Sequence, residues 1–414
     1  MTKLKLHWQI FISMIIGVGI GIYFQNFGID NLIYSIITSF GTIFVRLLKM
    51  IIVPLIFTSI IIGVASIKDS SRLGRLGIKT ILYYTMTSLF AIIIGLTLTN
   101  LVQPGVGINL GENEGFDASK LATPGSPAEI LIRMIPLNPF NAASNGDMLG
   151  IIFFAIFLGI SISRLKGKHQ STLSNFFEAM FQAIMKMTQS IIMLAPIGVL
   201  GLITKAVSNS GFEIFTAVGK YMATIALGLS IHIFIILPIF FLIMTRINPI
   251  KHYKGMASAM ATAFSTSSSS ATLPVTMRCV KENAGISNET TSFVLPMGAT
   301  VNMDGTALYE CAGVIFISQV LGIELSLTQQ FTVVITALLA SIGAAGIPSA
   351  GLVMIFIVTQ AVGFKDEDVA LIVGTMLAVD RPLDMFRTMV NITSDSIGAA
   401  VIAKSEGENL YPNG

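Results

Sequence analysis

Long runs without a charged residue recur along this sequence, and they restrict its fold more than any other feature. Residues 8–24, 80–102 and 221–245 contain no Asp, Glu, Lys or Arg, and an apolar helix of about 17 to 25 residues crosses the hydrocarbon core of a bilayer. Only 11% of the 414 residues are charged, and the mean hydropathy is +0.80. Soluble domains carry roughly 25% charged residues, so we predict an all-α polytopic membrane protein.

Four other features of the sequence add little to the prediction of a membrane protein: the net charge, the cysteines and the two ends of the chain. A formal net charge of +3 gives no indication of nucleic-acid binding. Cys279 and Cys311 lack the spacing of metal ligands and are predicted to be small buried residues. Residues 1–24 lack a small-x-small cleavage site after their apolar run, so we predict a retained first helix. Residues 408–414 (ENLYPNG) resemble a protease-tag remnant and are left outside the predicted fold.

The basic residues are distributed unevenly between the connections. Loops after the second, fourth and sixth predicted spans carry Lys and Arg, for example Arg72, Arg164 and Lys251, whereas the first loop has none. Because cytoplasmic loops are enriched in Lys and Arg, this alternation predicts eight spans with both termini in the cytoplasm. The predicted spans are 8–25, 33–67, 76–102, 148–163, 187–205, 218–245, 290–321 and 369–403.

Two further charge-free segments are predicted to enter the membrane without crossing it. Residues 255–277 have basic residues on both sides and contain four consecutive serines, 267–270. Residues 331–364 are interrupted by SIGAAGIPSAG at 341–351, which leaves two arms too short to span. We therefore predict two re-entrant helical hairpins that enter from opposite sides. Non-helical backbone at membrane depth is tolerated only inside protein or along a cavity, so the serines are predicted to line one.

The last predicted span contains polar residues at helical spacing. Asp380, Asp384, Arg387, Asn391 and Asp395 are three or four residues apart and share one helix face. Four unpaired charges inside a membrane would cost on the order of 10 kcal/mol, so they must pair, face water or bind ions. An ion pair between Asp380 and Arg387 would explain two of these five polar residues. The other three are predicted to face a cation or a cationic ligand.

A second polar interruption, GATVNMDGTALYE, lies in the seventh predicted span. Asn302, Asp304 and Gly305 predict a discontinuous helix, a feature of ion and substrate sites in secondary transporters. Ligands that are all oxygen atoms favour a hard alkali cation. Arg387 and Asp384, one turn apart, suit a ligand with a carboxylate and an ammonium group. These residues predict an ion-coupled carrier for an acidic amino acid.

Two other classes of protein, ion channels and enzymes, agree less well with the sequence. An ion channel predicts charged rings repeated around a central axis, whereas the sequence has a single asymmetric charged helix. No phosphate-binding loop, hydrolytic triad or His/Cys cluster accompanies the polar residues, so we predict that the protein is not an enzyme and that an ion gradient drives it.

Four motifs, in this order, resemble one known family. SSSSATLPVTMR, GATVNMDGTALYE, SIGAAGIP and DMFRTMVNITSD are similar to those of the glutamate/aspartate transporters, the dicarboxylate/amino acid:cation symporters, in their sodium-coupled prokaryotic branch. The resemblance covers almost the whole chain. It implies inverted repeats, a homotrimer in contact with membrane lipid, and an elevator mechanism. It also implies a prokaryotic cell (inner) membrane as the location.

The resemblance also implies a division into two domains. A scaffold would hold the trimer, and a transport domain built around both hairpins would move across the membrane. The scaffold would comprise 1–67 (helices 1 and 2) and 129–206 (helices 4 and 5), and the transport domain 76–102 (helix 3) and 213–403, with the inner hairpin at 249–285 and the outer hairpin at 327–364.

A substrate site follows from matching the motifs residue by residue. Arg387 would bind the substrate side-chain carboxylate, Asp384 its amino group, and Asp380 would orient Arg387. The full implied set is Ser268, Ser269, Thr306, Ala345, Gly351, Asp380, Asp384, Arg387, Thr388 and Asn391.

Sodium ions, three of them, are the implied co-substrates. The first set of ligands is Tyr84, Thr87, Ser88, Asn302 and Asp304, the second is Gly298, Asn302, Asn391 and Asp395, and the third is Thr300 with backbone carbonyls of Ser341, Ile342 and Ala344. Proton-coupled bacterial relatives often have Asn at the position of Asp395, so the retained acid favours sodium.

The sequence departs from the family at one arginine. Relatives carry it either at the position of Ser267 or at that of Met385, and this chain has neither. Arg381, four residues before Met385, is predicted to substitute in part by reaching Asp380 or the hairpin. Because of this departure, neither the substrate affinity nor potassium counter-transport is predicted from the resemblance.

Three alternatives remain within transport. A C4-dicarboxylate symporter would lack an acid at the position of Asp384, and a neutral amino-acid exchanger would have a small residue in place of Arg387. A proton-coupled acidic amino-acid symporter also remains open. The sequence leaves the preference between aspartate and glutamate undecided.

Overall fold

The computed structural model is helical throughout the part of the chain that it describes, residues 6–28, 32–65, 71–107, 132, 135–145, 147–210, 213–343, 350–364 and 366–411. Within these ranges no strand is formed, so the predicted all-α class is confirmed.

Within its described residues, the first half of the chain forms long helices and one short one. They are α1 Leu6–Phe27, α2 Leu32–Ala65, α3 Ser71–Val102, α4 Pro139–Asn145, α5 Met148–Arg164, α6 Lys168–Ile192 and α7 Ala195–Ser210. The second half begins with α8 Glu213–Ile231, a π-helical turn His232–Ile236 and α9 Leu237–Thr245. It continues with α10 Pro249–Thr266, α11 Ser269–Ala284, α12 Asn288–Val301, α13 Asp304–Val320, α14 Leu327–Gly343, α15 Ala350–Ala361 and α16 Asp366–Ser405.

The predicted span 187–205 is wrong as a single helix. The chain bends by 53° between α6 and α7, and Pro196 is the second residue of α7. Proline lacks an N–H and disfavours a helical residue before it, so a helix begins at this point and does not continue through it.

Several helices are long and apolar enough to cross a membrane. In the described part of the chain these are Trp8–Phe27, Leu32–Ala65, Arg75–Val102 and Phe215–Thr245, or five spans if the bent pair α6 and α7 counts as one. The protein is therefore a multi-pass membrane protein. The count of eight spans stays a prediction.

The four serines form the tip of a helical hairpin. Only Ser267 and Ser268 separate α10 from α11. The two helices are antiparallel, because the side-chain amide of Asn283 donates to the carbonyl of Gly255 at 2.7 Å and Cys279 Sγ lies 3.1 Å from Ser258 Oγ. Ser267 has a left-handed backbone, φ 52°, which ends α10. The Ser268 side chain then accepts the N–H of Ala271 at 3.2 Å and begins α11.

The seventh predicted span is discontinuous at the predicted place. Asn302 and Met303 interrupt it between α12 and α13. Every residue of α13 except Gln319 is buried, and α13 packs against α3, α8, α14, α15 and α16. This packing places the polar residues of the break at the centre of the protein. The tip of the second predicted hairpin, 344–349, lies outside the described residues.

Both cysteines and two residues near the end of the described chain lie in the interior. Cys279 and Cys311 are buried and unpaired, as predicted. Exclusion of residues 408–411 from the fold was wrong, because Leu410 and Tyr411 are buried. The N–H of Tyr411 donates to the carbonyl of Ala284 at 2.9 Å, which fixes this segment against the end of the hairpin.

Candidate functional site

A buried arginine lies at the centre of the polar face of α16. Arg387 is only 1% exposed. Its Nη2 donates to Asp380 Oδ1 at 2.9 Å and to Asp384 Oδ1 at 2.8 Å. The guanidinium carbon lies 3.8 Å from the centre of the Tyr309 ring, a favourable cation–π arrangement. The predicted pair of Asp380 and Arg387 is therefore present, with Asp384 as a second partner.

Two nitrogens of the Arg387 guanidinium are candidates for binding a ligand. Among the residues that the structure describes, Nη1 and Nε of Arg387 have no hydrogen-bond partner. The first residues of α15 lie beside them, since a Cβ atom on Gly351 would be 3.2 Å from Nη1. Leaving buried donors unsatisfied is unfavourable by about 1–3 kcal/mol or more each. These nitrogens can donate to a carboxylate in the bidentate manner that arginine favours.

Arg381 contacts a different acid from the one predicted. Its Nη1 lies 3.9 Å from Asp384 Oδ2, and its side chain is 36% exposed. The Asp380 carboxylate, the predicted partner, accepts from Arg387 instead. Asp384 therefore lies between a buried arginine and a half-buried one.

The start of α13 is held directly against α16. Asn391 Oδ1 accepts the N–H of Gly305 at 2.8 Å, and its Nδ2 lies 3.4 Å from Thr306 Oγ1. A Cβ atom on Gly305 would be 2.8 Å from the carbonyl oxygen of Arg387, so this close approach requires glycine. Thr388, also in the predicted set, donates to the carbonyl of Asp384 one turn earlier at 2.8 Å.

The remaining predicted substrate residues lie on the hairpins. Ser268 and Ser269 are buried at the tip between α10 and α11, and both of these helices pack against α16. Ala345 lies outside the described residues. The structure thus brings the α16 set together with Thr306 and Gly351.

Asp304 forms the first polar cluster at the helix break. It is fully buried. Its Oδ1 accepts from Ser88 Oγ at 2.6 Å and from Thr87 Oγ1 at 3.2 Å, so three residues of the first predicted ion set lie together. Its Oδ2 lies 3.0 Å from His232 Nε2. The break therefore presents a buried carboxylate surrounded by hydroxyl oxygens.

Asp395 and Asn302 form a second cluster that adjoins the first. Asn302 Nδ2 donates to Asp395 Oδ1 at 2.9 Å and to Ser394 Oγ at 3.0 Å. Asn302 Oδ1 is buried without a hydrogen-bond partner in the described residues. A Cβ atom on Gly298 would be only 2.5 Å from Asp395 Oδ1. Two buried carboxylates and an amide oxygen without a donor form the kind of oxygen-rich site that suits an alkali cation.

Other predicted ion ligands have different surroundings. The Tyr84 hydroxyl donates to the carbonyl of Val294 at 3.0 Å. In the described structure, Thr300 donates within its own helix, to the carbonyls of Pro296 and Met297. Ser341 and Ile342 lie in the last turn of α14, and Ala344 is outside the described residues. All three ion sets stay predictions.

Sequence reasoning missed four residues near these clusters. Tyr309 stacks under Arg387, and His232 contacts Asp304. Ser394 Oγ lies 3.0 Å from Asn302 in the second polar cluster and 3.5 Å from Thr87 Oγ1 in the first. Glu310 is fully buried, and neither of its carboxylate oxygens has a hydrogen-bond partner among the described residues. An isolated polar residue within an apolar helix is itself an indication of function, and His232 and Glu310 carried that indication.

A discontinuous helix that brings a buried arginine together with oxygen-rich clusters is a feature of secondary transporters. A profile described as "Sodium:dicarboxylate symporter family" matches residues 6–405. The chain therefore belongs to the sodium:dicarboxylate symporter family.

Individual relatives resemble the chain along nearly all of its length. The Mus musculus protein named "Excitatory amino acid transporter 3" is 37% identical over 461 residues, 98% of this chain and 87% of that protein. The Geobacillus stearothermophilus protein named "Proton/sodium-glutamate symport protein" is 34% identical over 418 residues, 99% of this chain and 96% of that protein.

Proposed function

We propose that this protein takes up L-aspartate, L-glutamate or both, together with sodium ions, by alternating access. The observation that carries the proposal is the buried guanidinium of Arg387, in which two nitrogens beside the carboxylate of Asp384 have no partner within the described part of the chain. The names of the relatives, which refer to excitatory amino acids and glutamate, support the same substrate class.

The substrate binds by matching each of its charges. Nη1 and Nε of Arg387 donate to the side-chain carboxylate, and Asp384 accepts from the ammonium group. Asn391 and Thr388 add hydrogen bonds from the same helix face. The main-chain carboxylate takes its donors from the hairpin tip at Ser268 and Ser269. In a buried site a ligand that lacks one of these groups leaves a partner unsatisfied, which is the basis of specificity.

Sodium binds at the broken helix. Asp304 with Thr87 and Ser88, and Asp395 with Asn302, provide two sites that each have one carboxylate. A third ion is proposed near Thr300. Sodium neutralises these buried carboxylates, and Asn391 and Gly305 connect the ion clusters to the substrate site. Ion and substrate binding therefore stabilise the same arrangement of α13 against α16.

A scaffold and a mobile transport domain are part of the proposal. Helix α1 packs mainly against α7, and α2 packs against α5, α6 and α7, which supports a scaffold of residues 1–67 and 129–206. Helix α13 packs against α3, α8, α14, α15 and α16, which supports a transport domain of residues 76–102 and 213–403. Trimer formation, elevator motion, entry of the hairpins from opposite sides and cytoplasmic termini in a prokaryotic inner membrane complete the proposal.

Uptake of labelled L-aspartate into proteoliposomes tests this function. We expect uptake with an inward sodium gradient and none with an inward proton gradient in the absence of sodium. Uptake with protons alone would contradict the sodium sites. An absence of both aspartate and glutamate uptake would contradict the substrate, and C4-dicarboxylates and neutral amino acids would then be tested.

A further inference from the structure

A histidine inside an apolar helix reaches the ion cluster. His232 is 0% exposed, and its Nε2 lies 3.0 Å from Asp304 Oδ2. The hydroxyls of Thr87 and Ser88 donate to the other carboxylate oxygen, Oδ1. The donors are thus divided between the two oxygens, with α3 on one side of the carboxylate and the histidine on the other.

The histidine stands at a local change in helix geometry. The N–H of Leu237 bonds to the carbonyl of His232, five residues back, and so closes a π-helical turn. In this pattern the carbonyl of Ile233 would accept from residue 238, which is Pro238 and has no N–H. The Tyr253 hydroxyl donates to that carbonyl instead. The proline thus explains why this carbonyl needs a side-chain donor.

Tyr253 belongs to α10, the first helix of the serine hairpin. Its hydrogen bond holds the π turn in a position where His232 faces Asp304. π turns inside α-helices frequently occur at functional sites. A carboxylate can only accept hydrogen bonds, so in this contact the ring Nε2 carries the hydrogen and donates it to Asp304. Such a bond fixes the rotation of the carboxylate around its own axis.

We propose that His232 is a positioning residue for the sodium ion bound at Asp304, and that Pro238 and Tyr253 hold it in place. The inference rests on the proposed function. The imidazole bonds to Oδ2 and so directs Oδ1, with the hydroxyls of Thr87 and Ser88, towards the cation. Residues that orient a ligand in this way typically change metal affinity by about 10- to 100-fold when removed.

Sodium binding to the purified protein, without any amino acid, tests this role. Thermal unfolding is followed while sodium replaces choline at constant ionic strength. His232→Phe keeps a ring of similar size but removes the donor, and we expect its sodium midpoint to rise about 10- to 100-fold. His232→Gln keeps an N–H donor and is expected to restore most of the affinity. Tyr253→Phe is expected to raise the midpoint by a smaller factor.

His252 provides a matched control. It is also fully buried, but it bonds to Tyr411 and Ser396. His252→Gln is expected to lower the unfolding temperature equally with and without sodium and to leave the sodium midpoint unchanged. This result separates a general loss of stability from a loss of ion affinity.

The outcomes distinguish this inference from the proposed function. A parental sodium midpoint in His232→Phe overturns the positioning role even if sodium-driven uptake is intact. If that variant does not fold, His232→Leu takes its place with the same expectation. A raised midpoint in a protein that takes up neither aspartate nor glutamate supports the positioning role and contradicts the proposed substrate. No response of the parent protein to sodium overturns both proposals.

Discussion

In the proposed substrate site, Arg387 selects the ligand, because its charge is buried and only part of its guanidinium is paired within the described residues. Two aspartates satisfy Nη2, while Nη1 and Nε remain without partners in the described residues. Asp384 bonds to Arg387 through Oδ1, while its Oδ2 lies 3.9 Å from Arg381. A substrate that brings both a carboxylate and an ammonium group complements each part of this cluster.

Replacing this arginine tests the assignment. We expect Arg387→Cys to lower aspartate uptake by about 100-fold or more, since two charge-assisted hydrogen bonds contribute roughly 1.5–3 kcal/mol each and 1.4 kcal/mol is tenfold. Uptake of a neutral amino acid is expected to increase relative to aspartate. Arg278→Cys, at an exposed position of α11, controls for the new thiol. Aspartate uptake at the parental level in Arg387→Cys would contradict the role.

Arg381 is expected to make a smaller contribution. Its Nη1 lies 3.9 Å from Asp384 Oδ2, and its side chain is 36% exposed. Exposed ion pairs contribute only about 0–1 kcal/mol of free energy. We therefore expect Arg381→Ala to raise the KM for aspartate by no more than about fivefold and to leave sodium dependence unchanged. Unaltered KM and turnover would show that Arg381 does not substitute for the arginine that relatives carry elsewhere.

At the scale of single residues, helical spacing was enough to predict the polar face of α16 and the pairing of Asp380 with Arg387. The contact of Ser88 with Asp304 joins residues 216 positions apart, so no spacing rule reaches it, and only the family resemblance placed both in one site. Neither helical spacing nor the family resemblance predicted the contact made by His232. It is a single polar residue in an apolar span, and its partner is known only once the helices are packed.

Among the secondary-structure elements, residues 406–411 act as a C-terminal strap across the ends of several helices. Glu406 bonds to Arg75 at 3.0 Å and to Lys79 at 2.5 Å in α3. Glu408 accepts the N–H of Ser287 at 2.7 Å, just before α12. The Tyr411 hydroxyl lies 2.6 Å from Nδ1 of His252 in α10. The strap thus connects α3, α10 and α12 at one end of the protein.

The strap is expected to make stability depend on pH. Hydrogen bonds from Arg75 and Lys79 lower the pKa of Glu406 from its ordinary 4.5 to about 2. A lowered carboxyl pKa stabilises the folded state above the ordinary value, and this stabilisation is lost as the pH falls towards 2. Glu406→Gln cannot titrate, so we expect its unfolding temperature to be below that of the parent at neutral pH. The difference should shrink between pH 4.5 and 2.

Thermal unfolding of parent and variant across this pH range provides the measurement. Glu282→Gln, at an exposed position of α11, is the matched control and is expected to follow the parent at every pH. A constant difference between Glu406→Gln and the parent would show that the ion pairs do not carry the pH dependence.

The breaks in the helices differ in how well they can be predicted. The serine tip and the interruption at Asn302 were predictable, because polar residues inside apolar segments mark them. The bend before Pro196 and the π turn before Pro238 were not, because each proline lies in an apolar segment where hydropathy shows no interruption. Helix boundaries there depend on which backbone carbonyl loses its donor, and that appears only in the folded chain.

For the whole molecule, the arrangement of the break predicts coupling between ions and substrate. Asp304 belongs to the first polar cluster, where we propose that sodium binds, and the next residue, Gly305, bonds to Asn391 on the polar face of α16. Asn302 joins Asp395 on the other side of the same break. Sodium that orders the break therefore also positions the substrate ligands, and by thermodynamic linkage the substrate must raise sodium affinity by the same factor.

Asp304→Asn tests this coupling, because it removes the charge and keeps the shape of the side chain. We expect the sodium midpoint for uptake to rise at least tenfold, about 1.4 kcal/mol, and the apparent affinity for aspartate at low sodium to fall. The aspartate affinity should recover as sodium is raised, since linkage acts only through occupancy. Asp147→Asn, the same substitution at the start of α5 where asparagine also caps a helix, should leave both quantities unchanged. Equal sodium dependence in Asp304→Asn and the parent would show that Asp304 is not part of the ion site. Weak aspartate binding that sodium cannot restore would instead mean that Asp304 supports the substrate site directly.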